Sequence, residues 1–334
     1  MANRTAVLIG LGSAVPDQIE TNDMLAERMD TSDAWIHSRT GIKARRKVGK
    51  DTATSDLAVE AGARALKSAG VATVDAVVLA TATPDYQCPA TAPTVANRLG
   101  LGTVPAYDVG AVCSGFLYAL LTAAGLIALG TAGRVLVIGA EAFTTIIDPM
   151  DRGTAPIFGD GAGAVVLEAG SPADQGALLG FDLGSDGDLA ELIIVRAGGS
   201  RQRAAGTEPE PGDYFMDMQG KTVFANAVLR MEESSRKVLA STGWAVGEVD
   251  CLVGHQANAR ILRAVAEHLE IPAERAFINI EQLGNTAAAS IPLALTDAHE
   301  AGVLQAGDRV LLTAFGAGAT WGAVTLVWPA LARS

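Results

Sequence analysis

The chain repeats itself weakly, and that repeat restricts its possible folds more than any other feature. Val74-Asp75-Ala-Val-Val-Leu returns as Val249-Asp250-Cys-Leu-Val-Gly, and Arg134-Val-Leu-Val-Ile-Gly returns as Arg309-Val-Leu-Leu-Thr-Ala. Between the matched segments, each half has a turn that opens an alanine-rich helical stretch. The first turn carries Cys113, 38 residues after Asp75, and the second carries Asn285, 35 residues after Asp250. An internal duplication is the simplest source of this spacing. If the halves pack about a pseudo-twofold axis, the two turns meet near it. The first half is expected over residues 1–170, ending in the loop Ala169-Gly-Ser-Pro-Ala-Asp, and the second over 171–334.

Short apolar, β-branched runs predict strands at 6–9, 74–80, 134–139, 164–167, 251–254, 309–312 and 323–328. Continuous runs of this kind suit strands covered on both faces. Helical patterns at 55–69, 222–241 and 259–269 lie between them. Alternation of the two predicts an α/β fold with mainly parallel strands.

Composition removes several classes of function. A net charge of −12 repels phosphate backbones and argues against nucleic-acid binding. Three widely spaced cysteines, Cys88, Cys113 and Cys251, make neither a disulfide framework nor a zinc site. They fit a reducing, cytoplasmic compartment. The opening residues run straight into a strand-like segment and lack the apolar region of a signal peptide. Residues 109–133 carry no charge, but their five glycines point to a helix buried in protein rather than in a membrane. Against the acidic balance, residues 39–50 hold six basic side chains and no acidic one. That island is either a solvated face or a site for a phosphate-bearing ligand.

Two motifs do not carry their usual chemistry. Gly10-Leu-Gly12-Ser-Ala-Val15 lacks the third glycine of a dinucleotide loop. Asp182, Asp186 and Asp188 lack the closing glutamate of a calcium loop and read as a surface turn. Three others suggest catalysis. Cys113 stands where a strand-like segment gives way to a helix, and first-turn N–H groups there are expected to lower its pKa and favour the thiolate. His255, in Gly254-His255-Gln-Ala-Asn258, follows a strand, a position for a hydrogen-bond donor or base. Asn285 lies in Gly284-Asn285-Thr286, where an ordinary N-cap is the plainer reading. The turn Phe315-Gly-Ala-Gly-Ala-Thr-Trp-Gly322 offers backbone N–H groups to an oxyanion.

Taken together, these segments resemble the β-ketoacyl-acyl carrier protein synthase III family. The resemblance runs almost end to end. It includes Ser32-Asp-Ala-Trp35-Ile-His-Ser-Arg39-Thr40-Gly41-Ile, the Cys113 turn, Asp151-Arg152-Gly-Thr and Phe158-Gly-Asp-Gly-Ala-Gly163. His255-Gln-Ala-Asn258, Gly284-Asn285-Thr286 and the glycine-rich turn complete it. The resemblance implies an α/β, thiolase-like five-layered αβαβα fold built from two duplicated halves, and a homodimer. It implies a Cys113–His255–Asn285 triad, with an oxyanion hole from the backbone of Cys113, Ala317 and Gly318. The implied substrates are an acyl-coenzyme A and a malonyl-acyl carrier protein, with no metal and no cofactor beyond the coenzyme A thioester itself. Trp35, Arg39, Thr40, Arg152, Gly220 and Asn258 are the implied coenzyme A contacts, with Trp35 and Arg152 flanking the adenine. Gln256 and Arg260 are the implied carrier-protein contacts, and Cys88 and Phe158 the acyl pocket. Cys88 falls where acetyl-restricted relatives have a phenylalanine that reaches across the dimer. Ala317 replaces a frequent glycine, and Ala225 stands where some relatives have a docking lysine. A relative that uses the same triad to acylate a non-malonyl nucleophile remains the alternative.

Overall fold

The computed structural model describes residues 4–333. Nine strands form its two main sheets: β1 (Thr5–Ala14), β2 (Ala76–Ala80), β3 (Ala106–Val109), β4 (Arg134–Glu141), β5 (Gly161–Gly170), β6 (Leu178–Ser185), β7 (Cys251–Gly254), β8 (Arg309–Gly316) and β9 (Thr320–Val327). The first sheet has the order β1-β5-β4-β2-β3, and the second has β6-β9-β8-β7. A single parallel bridge from Leu252 to Ala276 stands where a fifth strand of the second sheet would be. The helices used below are α1 (Asp33–Thr40), α2 (Thr54–Ser68), α3 (Gly115–Ala128), α4 (Gly220–Thr242), α5 (Ala259–Leu269) and α6 (Ser290–Glu300).

The duplication is visible residue by residue. Ala76 pairs with Val135 in the first sheet, as Cys251 pairs with Val310 in the second. Arg134 lies opposite Glu168, as Arg309 lies opposite Val327. Even the matched aspartates do the same work. Asp75 accepts hydrogen bonds from the N–H groups of Gly133 and Arg134 at the start of β4, and Asp250 accepts one from Arg309 at the start of β8.

Layering follows from which surfaces are apolar. β2 and β7 are buried along their whole length, which explains their unbroken apolar runs. α3 and α6 lie between the sheets, in one core that includes Val78, Phe116, Leu120, Ile291, Leu312 and Trp328. α2 covers the outer face of the first sheet, and α4 with α5 covers that of the second. The result is five layers, αβαβα. The uncharged stretch is accounted for by α3, 14 residues long and sandwiched between sheets. Among the described residues no helix is long and apolar enough to cross a membrane. Gly10 and Gly12 lie within β1, not in a loop. A Cβ on either would come within 2.5 Å of backbone in or just after α2, so they let helix and strand close up.

The expectation of mainly parallel strands is half right. Four strands of the first sheet and three of the second run one way, but the reversed β5 and β9 sit inside their sheets. Antiparallel pairing is therefore as prominent as parallel. In the second sheet the physical reason is connection length. Only Ala317–Ala319 separate β8 from β9, too few for the crossover that a parallel neighbour needs.

Candidate active site

Cys113 occupies a short 3-10 turn, Val112–Ser114, that runs straight into α3. Val112 enters it with φ +45°, a left-handed conformation that a β-branched residue rarely adopts. The turn is held from both sides. Ser114 Oγ donates to the Ala111 carbonyl, and it bonds to Thr320 Oγ1 at 2.6 Å. Gly316, at the end of β8, lies directly beneath it. The N–H groups of Cys113 and Ala317 both point at the sulfur, whereas Gly318 supplies none there. Alanine at 317 costs the turn nothing, because the left-handed positions fall on Gly318, at φ +73°, and Ala319, at +43°.

The expected low thiol pKa is not found. Burial pushes the Cys113 thiol up to about 12, and the Glu141 carboxyl behind it adds to the rise. The two N–H groups pull the other way and are outweighed. A helix N-terminus favours a thiolate only against the cost of desolvating it, and here the sulfur is enclosed. At neutral pH Cys113 is therefore a neutral thiol.

His255 follows β7 and is buried. Its Nδ1 bonds to Ser290 Oγ at 2.6 Å, and Ser290 is the first residue of α6. With that hydroxyl as the donor, the ring would carry its proton on Nε2. Burial pushes the imidazole down to about 3, so it is neutral at pH 7. Asn285 is more than an N-cap. Its Oδ1 accepts from the Ala287 N–H at 2.9 Å, which leaves the amide Nδ2 as the free donor. Asn285 is fixed by the Phe158 loop as well, through Asn285 N to Ile157 O and Gly159 N to Asn285 O.

A cavity of about 200 Å³ brings Cys113, His255, Asn285, Phe158, Gly220 and Asn258 together. Phe158 stacks on Phe143 at 4.8 Å, and Ile193 and Met216 continue the apolar wall. Trp35 lies outside this cavity with Arg39 and Arg152 over its ring, at 4.4 and 4.3 Å. That spacing leaves no room for an adenine between Trp35 and Arg152, so the guanidinium must swing away to admit one. Arg260 is exposed beside Phe224. Cys88 is exposed and lies off the cavity wall of its own chain.

Two residues expected to make contacts are buried and bonded to nearby backbone. Thr40 is buried, and its hydroxyl donates to Ile36 O and accepts from Ile42 N, closing the end of α1. Gln256 is 1% exposed. It donates to the carbonyls of Gly254 and Phe277 and accepts from Asn279 N–H, so a carrier protein cannot reach it. The basic island also divides. Arg45 is wholly buried and bonds Glu20 O, Asn22 and Pro156 O, so it is a structural brace. Lys43 pairs with Glu281 and Lys47 with Glu20, which leaves Arg39 as the member nearest Trp35.

Sequence reasoning missed three groups. Ser290 was hidden because its partner is 35 residues away. Glu141 lies two residues past the apolar run 134–139 that marks its strand. Lys221, exposed in the first turn of α4 beside Gly220, lies one helical turn before Ala225, and that spacing was legible.

Two duplicated α/β halves that meet over a buried cysteine, histidine and asparagine make the chain a thiolase-fold condensing enzyme. Its sequence matches the model for 3-oxoacyl-[acyl-carrier-protein] synthase III over residues 107–187 and that for the synthase III C terminus over 239–328. It is 58% identical over 323 residues to β-ketoacyl-[acyl-carrier-protein] synthase III 5 of Streptomyces coelicolor, covering 97% of each chain. The crystal structure of 3-oxoacyl-(acyl carrier protein) synthase III from Pseudomonas aeruginosa PAO1 superposes with a TM-score of 0.93 at 49% identity, covering 99% of this chain and 100% of that one. The priming β-ketosynthase of a polyketide biosynthetic pathway superposes at 0.90 and 32% identity, covering 98% of this chain and 97% of that one. The chain belongs to the 3-oxoacyl-[acyl-carrier-protein] synthase III family.

Proposed function

We propose that this enzyme condenses an acyl group from acyl-coenzyme A with a malonyl-acyl carrier protein, through an acyl-cysteine at Cys113. One observation carries the reading: the thiol, two backbone N–H groups and the side-chain donors of His255 and Asn285 converge on one cavity.

In the first half-reaction the Cys113 sulfur attacks the thioester carbonyl. The Cys113 and Ala317 N–H groups stabilise the tetrahedral oxyanion. The proton that Cys113 loses is the one that the departing coenzyme A sulfur takes up, so the step needs no net proton acceptor. In the second, the malonyl thioester loses carbon dioxide, and Nε2 of His255 and Nδ2 of Asn285 donate to the thioester oxygen as enolate charge builds. The carbanion attacks the acyl-cysteine carbonyl, the Cys113 sulfur leaves as a thiolate, and it takes up one proton from solvent.

Trp35, Arg39 and Arg152 bind the nucleotide end of coenzyme A in this reading, with a guanidinium and an indole suited to stacking on adenine. Gly220 and Asn258 line its path inward. Arg260, with Lys221, meets the carrier protein. The active species is a homodimer in which Cys88 reaches the partner's acyl pocket. Intact-protein mass spectrometry after exposure to a panel of acyl-coenzyme A thioesters tests the first half. Adduct mapping should find Cys113 alone. An adduct on Cys88 or Cys251, or full acylation of Cys113→Ala, would refute it. Malonyl-acyl carrier protein should then discharge the adduct with release of carbon dioxide.

A further inference from the structure

The duplication gives the second half its own copy of the Cys113 turn. Val112 and Ala287 are both left-handed, at φ +45° and +43°. Each opens a 3-10 turn that runs into a central helix. In this correspondence Ala288 stands for Cys113. By the strand registers, Glu141 at the end of β4 stands for Gly316 at the end of β8. Gly316 leaves room for the nucleophile. Glu141 fills the matching room beneath Ala288.

The carboxyl group of Glu141 is wholly buried. Its hydrogen-bond partners are uncharged: Ala82 N–H at 3.1 Å, Thr83 Oγ1 at 2.7 Å, Thr81 Oγ1 at 3.4 Å and Ala288 N–H at 3.4 Å. Thr83 is bonded in turn to Thr54 and to the Ala142 N–H. An acid enclosed without a cation is costly as an anion. Burial accordingly pushes it up to about 8. The charge of Glu141 raises the Cys113 thiol.

We propose that Glu141 is a positioning residue: its carboxyl group ties the Ala287–Ala289 turn, and with it Asn285, to the ends of β2 and β4, and any negative charge on it disfavours the thiolate of Cys113. The two sites therefore ionise against each other. A neutral Glu141 permits a thiolate, and a charged one suppresses it. This proposal rests on Cys113 being the nucleophile, and alkylation of the parent enzyme, mapped to Cys113, checks that separately from any acyl transfer.

The test is the pH profile of Cys113 alkylation by iodoacetamide, read by peptide mass spectrometry from about pH 6 to pH 10. Glu141→Gln keeps an oxygen to accept from Ala82 and Ala288 and removes the charge. Its profile should move to lower pH, with alkylation at pH 8 faster by about threefold or more. Thr83→Val removes the hydroxyl that best supports the carboxylate, so it should move the profile the same way, by less. Should Glu141→Gln fail to fold, Thr83→Val alone decides. Profiles that coincide with the parent's overturn the electrostatic role, whatever happens to thermal stability. Glu141→Ala removes the tether. It should slow malonyl discharge of the acyl-enzyme by about tenfold more than it slows acylation. Equal loss in both steps overturns the tether.

Discussion

Replacing Gly316 by alanine tests the geometry beneath the nucleophile. A Cβ there would stand 2.8 Å from the Cys113 nitrogen, 3.0 Å from the Ser114 nitrogen and 3.0 Å from Cys113 Cβ. Ordinary contact begins at 3.4 Å, so the turn must yield by about 0.6 Å. Two of these atoms are backbone, in a turn already strained at Val112, and cannot swing aside. Oxyanion donors work within about 2.7–3.1 Å, a window narrower than the displacement, and losing one costs about 10²–10³ in rate. Acylation of Gly316→Ala, followed by intact mass against time, should therefore slow by about 10²-fold. Overpacking should cost about 1–3 kcal/mol of stability. Gly318→Ala is the control. Its φ of +73° makes alanine unfavourable by about 1–2 kcal/mol, yet its nearest neighbour, Thr320 Cγ2, is 3.7 Å away. It should lose similar stability and keep most of its acylation rate. Parental acylation in Gly316→Ala, or equal slowing in Gly318→Ala, would refute the argument.

Three further outcomes are expected. His255→Ala and Asn285→Ala should retain measurable self-acylation and lose condensation by about 10² or more; equal loss of both steps in rapid-quench assays would contradict their assignment to the decarboxylating half. Burial holds His255 near 3 against 6.5 when unfolded, so it favours folding fully above pH 6.5, and that contribution is lost as pH falls toward 3. Urea unfolding of the parent against His255→Gln should thus diverge by roughly 2 kcal/mol between pH 6.5 and pH 5, at about 1.4 kcal/mol per unit. A pH-independent difference would show that the imidazole titrates normally. If Cys88 closes the partner's acyl pocket, its small side chain leaves room there, and each added methylene contributes about 0.8 kcal/mol. Acylation should favour hexanoyl- over acetyl-coenzyme A, and Cys88→Phe should reverse the order; a parental preference for acetyl would sink the idea.

Much of the fold was legible because the buried strands obey a simple rule. A strand covered on both faces must be apolar throughout, so β2, β4, β7 and β8 stand out in the sequence. β6 did not, because glycines and Asp182 interrupt it. Asp182 reads as a turn residue yet accepts from Ser234 on α4, a partner 52 residues away. The same limit governs the site. Cys113, His255 and Asn285 sit at strand ends or helix starts, positions that local pattern reveals. What sets their protonation does not lie nearby in sequence. The thiol's pKa was misread because the helix N-terminus is a local feature, whereas burial and Glu141 belong to the assembled core. Thr40 and Gln256 show a related limit. A polar side chain inside a matched motif can serve the backbone around it as readily as a ligand.

The two halves keep one architecture and divide the chemistry. Both present a strained turn at the start of a central helix, and the turns touch, with Gly115 packed toward Ala288. Only the first carries a thiol. A second thiol at Ala288 would lie against a buried carboxyl and find no glycine beneath it. Instead, the second turn begins three residues earlier with Asn285, whose amide is held by the N–H of Ala287, the same left-handed residue that shapes the turn. Strain at Ala287 is thus tied to the placement of a donor, as strain at Val112 is tied to the placement of the sulfur. The histidine comes from the strand beside that turn, and its Nδ1 is set by Ser290, the first residue of α6. In the proposed mechanism one half therefore makes the covalent bond, and the other supplies the donors for the enolate. Because the pseudo-symmetric packing brings the two turns together, neither half could form this site alone.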